Sequence, residues 1–134
     1  MVSFNLAQKL KEYGCKKLHF CYDEPSGLES FIAIHTSELG PALGGCRMID
    51  YSSQEEAIED ALRLARGMAY KAALAGLKLG GGKGVIIGKG DGKIKEKYEA
   101  FGRFVDALKG KYITGEDMGT SMEQVLYIAS QTKF

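Results

Sequence analysis

Gly80-Gly81-Gly82-Lys83 is the stretch that most restricts how this chain can be built. Three successive glycines strip the backbone of side chains and open conformations closed to other residues. A short apolar run, Val85-Ile86-Ile87, comes directly after, and Lys71 lies twelve residues before Lys83, near the end of a long helical pattern. A bare backbone beside two ammonium groups suggests a pocket for a small anion. The plainer reading is a tight turn between a helix and a strand, for which one or two glycines would suffice. All of Gly40 to Gly92 is rich in glycine, which marks a built site rather than a linker.

A phosphate loop is excluded. That motif needs a glycine five residues before the final one and Ser or Thr after the lysine; Leu77 and Gly84 stand there instead. It also runs from strand to glycines to helix, so that a helix N-terminus meets the anion. Here the helix comes first. No G-x-G-x-x-G register fits, because Val85, Ile87 and Lys93 occupy the third glycine's place.

The helix before the glycines is the clearest element. Ser53 and Glu56 fit a capping box. Ala57, Ile58, Ala61, Leu62, Leu64, Ala65, Met68, Ala69 and Ala72 then recur at helical spacing up to a stop at Gly76. Upstream, Ser3 is placed to cap a helix ending at Tyr13 and Gly14. Lys17 to Tyr22 alternates as a strand, Pro25-Ser26-Gly27 turns, and Phe31 to His35 forms a hairpin with it. Gly40-Pro41 breaks the chain, and Gly44-Gly45 leads into a strand around Arg47 to Ile49. Val85 to Ile87 reads as a buried strand, followed by a turn at Lys89-Gly90-Asp91-Gly92. A second amphipathic helix carries Ile94, Tyr98, Phe101, Val105 and Leu108 on one stripe and stops at Gly110. Tyr112-Ile113-Thr114 is a short strand, and Thr120 with Glu123 caps a last helix that the chain end cuts at Phe134. Strands interleaved with helices predict one α/β domain, layered α/β/α, with an open mixed sheet.

Charge and composition exclude several classes. A net charge of +1 leaves no footprint for nucleic acid or an anionic membrane. No apolar run approaches a membrane span, and Met1 to Leu6 carry no signal-peptide pattern. Cys15, Cys21 and Cys46 have no metal-ligand spacing and read as reduced thiols of a cytoplasmic protein. No metal is expected. His19 and His35 sit on alternating strands and read as packed or surface residues.

Taken singly, the candidate residues stay ambiguous. Lys71 falls at the border of the apolar arc, where lysines commonly reach to water. A lysine opening a strand, as Lys83 does here, is more often solvated than reactive. Glu116-Asp117 lies at a strand-to-loop edge, where α/β proteins place chemistry, yet it could be a solvated acidic turn. Gly44-Gly45 could be a bulge.

Four linked segments change the weighing. Gly40-Pro41-Ala42-Leu43-Gly44-Gly45-Cys46-Arg47, Ala61 through Lys71, Gly80 through Ile87, and Ile113 through Thr120 resemble, in order and interval, the N-terminal domain of the glutamate/leucine/phenylalanine/valine amino acid dehydrogenases. The likeness covers nearly the whole chain and is greatest to the leucine-acting members. Gly102-Arg103-Phe104-Val105-Asp106 is also similar to the tryptophan- and phenylalanine-acting members.

The resemblance implies oxidative deamination of an L-amino acid to its 2-oxo acid and ammonia, with NAD or NADP accepting the hydride. It implies that Lys71 binds the substrate α-carboxylate, that Lys83 is the catalytic lysine activating water, and that Asp117 handles protons at the amino group. Gly44 and Gly45 would bring backbone close to the substrate. Glutamate-acting relatives carry lysine where Leu43 stands, so Leu43 with Met68 implies an apolar side-chain pocket of the leucine, valine or isoleucine kind. The resemblance further implies that residues 1–134 form a substrate-binding and oligomerisation domain of a homo-oligomer. The NAD-binding Rossmann domain would follow Phe134, so this chain would supply no cofactor contact and be inactive alone. A stand-alone, non-catalytic domain that binds amino acids or assembles with a partner is the alternative.

Overall fold

The computed structural model describes residues 3–89 and 92–134. Among these residues six strands and four helices follow in the order α1 (Leu6–Tyr13), β1 (Lys17–Asp23), β2 (Leu28–Thr36), β3 (Ala42–Leu43), β4 (Cys46–Ile49), α2 (Gln54–Leu74), β5 (Gly80–Ile87), α3 (Ile94–Ala107), β6 (Tyr112–Ile113) and α4 (Met122–Ala129). The strands form one open mixed sheet in the order β1-β2-β5-β3-β6, with β4 also on β5. β1, β2 and β5 are successively antiparallel, whereas β3 and β4 run parallel to β5 and β6 parallel to β3.

Two cores, one on each face of the sheet, make three layers. Phe31, Ala33 and Val85 pack with Ala57, Ala61, Leu62 and Ala65 of α2 and Tyr13 of α1. Ile32, Ile34 and Ile86 pack with Tyr98, Phe101 and Val105 of α3 and Ile128 of α4 on the other face. The α/β/α layering with an open mixed sheet is as the sequence predicts. Alternation along each strand produces it, since successive residues point to opposite faces.

The glycine triplet departs from its expected form. It is neither a turn nor a loop around an anion, because β5 begins at Gly80 and all three glycines lie inside it. Glycine in a strand marks close approach of other groups. A Cβ on Gly81 would meet the Ala69 Cα of α2 at 2.6 Å. One on Gly82 would meet the Tyr112 ring at 2.8 Å, and one on Gly84 the Phe101 ring at 2.6 Å. Both helical layers press onto the central strand there, and side chains would hold them off.

β3 and β4 are two parts of one line. Ala42 and Leu43 face Gly80 and Gly81; Cys46 and Arg47 face Gly84 and Val85, in unbroken register. Gly44-Gly45 is the gap between them. Gly44 lies against the Gly82 carbonyl, and Gly45 against the Glu116 carbonyl. β3 itself was not read from the sequence, where Gly40-Pro41 suggested only a break.

Several ends also shift. Asn5, not Ser3, caps α1, accepting from Gln8 N at 3.0 Å. β2 is longer than predicted, at Leu28–Thr36. Ser53 caps α2 through Glu56 N at 3.1 Å, but the Glu56 carboxylate turns to Ser52 N, so the box is half closed. Ser121 and Gln124 form the reciprocal box of α4, one residue beyond Thr120 and Glu123. α4 ends at Ala129, and the chain then returns so that Thr114 N donates to the Phe134 carbonyl at 3.2 Å. Within the predicted turn at Lys89–Gly92, Gly90 and Asp91 lie outside the described residues. Among the described residues no helix is long and apolar enough to cross a membrane.

Candidate active site

Lys83 sits in the middle of β5, paired with Ala33 of β2. That position points it to the α2 face, together with Val85 and Gly81. Lys83 is only 5% exposed, and an ammonium so placed needs a partner. Asp117 supplies it: Lys83 Nζ lies 2.9 Å from Asp117 Oδ2.

Asp117 comes from the segment after β6. Cys46 N donates to the Gly115 carbonyl at 2.8 Å and Met48 N to the Met118 carbonyl at 3.1 Å. These two bonds carry residues 115–118 alongside β4 and set Asp117 beside Arg47. Arg47 Nε donates to the same Oδ2 at 2.7 Å. Burial pushes the Asp117 carboxyl up, but the bonds from Arg47 and Lys83 outweigh it and hold the group below the ordinary carboxylate range. Asp117 is therefore ionised at neutral pH.

The network continues behind Arg47. Its Nη1 lies 3.5 Å from Asp60 Oδ2 of α2. Tyr51 OH donates to that oxygen at 2.6 Å, and Arg63 meets Asp60 Oδ1 at 2.6 Å. Burial, then the bond to Asp60, raises the Tyr51 hydroxyl well above its usual range, so it stays a donor. Arg47, Tyr51, Asp60 and Arg63 line a surface cavity of about 370 Å³.

The flank of α2 beside this network carries Asp60, Leu64, Met68 and Lys71. Steps of four, four and three residues stack side chains on one side of a helix. Asp60 meets Arg47, which is level with Val85, and the Ala65–Ala69 turn crosses Gly81. α2 thus runs antiparallel to β5, with Lys83 beneath its middle and Lys71 one turn past the crossing. Lys71 is exposed and, among the described residues, makes no ion pair. Leu43 is half-buried and pairs with Gly81. Met68, also half-buried, adjoins Ala69 over the same glycine.

The predicted residues thus fall into groups. Lys83 and Asp117 are in contact. Leu43 and Met68 flank Gly81. Gly44 and Gly45 lie against β5 and Glu116-Asp117, where their missing side chains make room for backbone. Lys71 stands on the same helix flank but apart from the ion pairs. Sequence reasoning missed Arg47, Asp60 and Tyr51. A signal existed for Arg47: a charged residue between Cys46 and Met48, both buried, inside a strand.

The glycine stretch does not fit a dinucleotide. Such a cradle leaves backbone open at a helix start, whereas α2 covers Gly81 on one face and aromatic rings cover Gly82 and Gly84 on the other.

Residues 16–134 match the family described as Glu/Leu/Phe/Val dehydrogenase, dimerisation domain. A leucine dehydrogenase of Bacillus subtilis (strain 168) is 54% identical over 130 residues, covering 96% of this chain and 36% of that protein. A phenylalanine dehydrogenase of Bacillus thermotolerans is 49% identical over 133 residues, covering 98% of this chain and 34% of that protein. The crystal structure of an L-tryptophan dehydrogenase from Nostoc punctiforme superposes with a TM-score of 0.94 at 42% identity, covering 97% of this chain and 39% of that one. The chain spans about a third of the length of the curated relatives it matches.

Proposed function

This chain belongs to the Glu/Leu/Phe/Val dehydrogenase family, and from that premise we propose that residues 1–134 are the substrate-binding and oligomerisation part of an amino acid dehydrogenase. The reaction is the reversible deamination of a hydrophobic L-amino acid, of the leucine, valine or isoleucine kind, to its 2-oxo acid and ammonia. The single observation that carries the reading is the buried Lys83 paired with Asp117 beneath the flank of α2 that bears Met68 and Lys71.

In this reading the exposed Lys71 ammonium receives the substrate α-carboxylate. Gly44 and Gly45 admit the substrate close to the backbone, and the side chain lies against Leu43 and Met68. Asp117, ionised, accepts a proton from the substrate amino group. Asp117 releases that proton to solvent and takes the Lys83 proton across their 2.9 Å contact, and the neutral amine then accepts a proton from the attacking water. Acid–base assistance of this sort is typically worth about 10²- to 10⁴-fold in rate.

The hydride acceptor is NAD, which supplies the oxidising chemistry when bound. Its contacts are assigned to residues outside 1–134, since the glycines of β5 are packed on both faces. The assembly is a homo-oligomer, supported by the description of the matched family as a dimerisation domain. A cytoplasmic location is supported by three free, buried cysteines.

The test is a nicotinamide-dependent assay on the full translated product of the gene. Leucine, valine or isoleucine should turn over at least about tenfold faster than glutamate, whose distal carboxylate would meet Leu43 without a partner. Equal rates would overturn the substrate assignment, and no deamination of any amino acid would overturn the reading as a whole.

A further inference from the structure

Lys83 is the natural partner of Asp117, yet a second cation competes for the same oxygen. Lys83 Nζ and Arg47 Nε lie 2.9 and 2.7 Å from Asp117 Oδ2. Oδ2 is the nearest carboxylate oxygen to each. A lone lysine–carboxylate pair would satisfy the charge of Lys83, so the guanidinium is surplus to that need. Its placement is also costly: the Arg47 side chain is only 15% exposed.

The far side of the guanidinium explains the expense. Asp60 of α2 meets Nη1, and Asp60 is itself held by Tyr51 and Arg63. Arg47 is therefore fixed at both ends, by a carboxylate from α2 and by a carboxylate from the segment after β6. Only arginine does this well, because its fork is planar, permanently charged and able to serve two partners at once. Lysine offers a point charge on a flexible stem.

We propose that Arg47 is a positioning residue: through Nε it fixes the Asp117 carboxylate against Lys83, while Asp60, itself held by Tyr51, grips the guanidinium from behind. The inference rests on the assignment of Lys83 and Asp117 as the reacting pair. Arg47 thereby holds Asp117 in one rotamer beside Lys83. The groups facing Asp117 are Lys83 from β5, Arg47 from β4, the buried Cys46 beside it, Tyr51 beyond β4 and Asp60 from α2.

The experiment needs no turnover. Residues 1–134 contain six aspartates, and carboxyl-carbon labelling of the whole protein identifies the Asp117 signal by NMR as the one lost in Asp117→Asn. Arg47→Met should raise the Asp117 titration midpoint by about one unit or more. Arg47→Lys should restore part of that shift but leave the Asp117 side chain averaging between rotamers. Asp60→Asn, which frees the guanidinium without removing its charge, should also raise the midpoint and loosen the rotamer. A midpoint in Arg47→Met within about 0.2 unit of the native chain, at native circular dichroism, overturns the proposal. If Arg47→Met does not fold, Arg47→Lys and Asp60→Asn carry the test, and a native midpoint with a native rotamer in both overturns it. Failure of the enzymatic reading would show differently, as turnover surviving Lys83→Ala.

Discussion

Lys83 and Arg47, from neighbouring parallel strands, converge on one oxygen of Asp117. With Arg47 as its second holder, Asp117 keeps its place when Lys83 is removed. Lys83→Ala should therefore leave the fold and Asp117 in place while lowering the deamination rate by about 10²- to 10⁴-fold. Turnover within a few-fold of native, measured at saturating substrate, would remove Lys83 from the chemistry.

Asp117→Asn acts on the opposite partner. It leaves a buried ammonium and a largely buried guanidinium without their shared counter-charge. Removing one partner of a fully buried pair costs about 3–5 kcal/mol; Asp117 is 25% exposed, so the loss should fall at or below the lower end of that range. The depressed titration of Asp117 adds a pH signature. Its contribution is present above the unfolded carboxyl value and is lost as pH falls through the lower folded value. Urea denaturation at neutral and acid pH should show the native chain losing its advantage over the variant on acidification.

Two glycines, one in β5 under α2 and one on the exposed side of α2, should respond in opposite directions. Gly81→Ala drives a methyl into the α2 backbone at Ala65 and Ala69, and overpacking of this kind costs about 1–3 kcal/mol or more. Gly67→Ala, inside α2 with nothing within 4 Å of an added Cβ, should stabilise by about 0.5–1 kcal/mol through helix propensity. Denaturant midpoints of the two variants test both signs.

His35 predicts a separate weakening in mild acid. Its Nδ1 is buried without a hydrogen-bond partner. Burial, followed by the charges of Arg66 and Lys16, lowers its titration from 6.5. A lowered histidine is protonated first in the unfolded chain, so stability falls as pH drops below 6.5 and levels off once the folded value is passed. His35→Gln should flatten that slope below pH 6.5, although His19, lowered mainly by burial, contributes in the same sense.

Leu43→Lys would test the apolar pocket directly. A lysine beside Gly81 offers a partner to a distal carboxylate. The variant should raise glutamate turnover relative to leucine by about tenfold or more, and an unchanged ratio of kcat/KM would detach Leu43 from selectivity.

Periodicity was enough to read the layers. The apolar recurrence from Ala57 to Ala72 and the stripe from Ile94 to Leu108 each encode a buried face, and the structure packs both against the sheet. The glycine triplet was misread for a physical reason. Glycine is poor in strands, and its presence in β5 is set by α2, Tyr112 and Phe101, none of which is local in sequence. β3 was hidden likewise, since two residues carry no period and its pairing depends on β5 and β6. Arg47 was legible only as a charge between two apolar residues, and Asp60 only as one of several carboxylates at the start of α2. Their partnership crosses from β4 to α2 and appears only once those elements are stacked.

The order in which the pair leaves the ribosome also matters. Lys83 is made well before Asp117, and β5 has little tendency of its own to form a strand. Until the segment after β6 arrives, the lysine must stay in water, because an unpartnered ammonium cannot enter that layer. Closure of the central sheet is thus delayed until the residues near 117 have been synthesised. A truncated or nicked chain lacking residues near 117 would leave its middle strand hydrated and open to chaperones and proteases, so cellular quality control could tell a finished pocket from an unfinished one by a single buried charge.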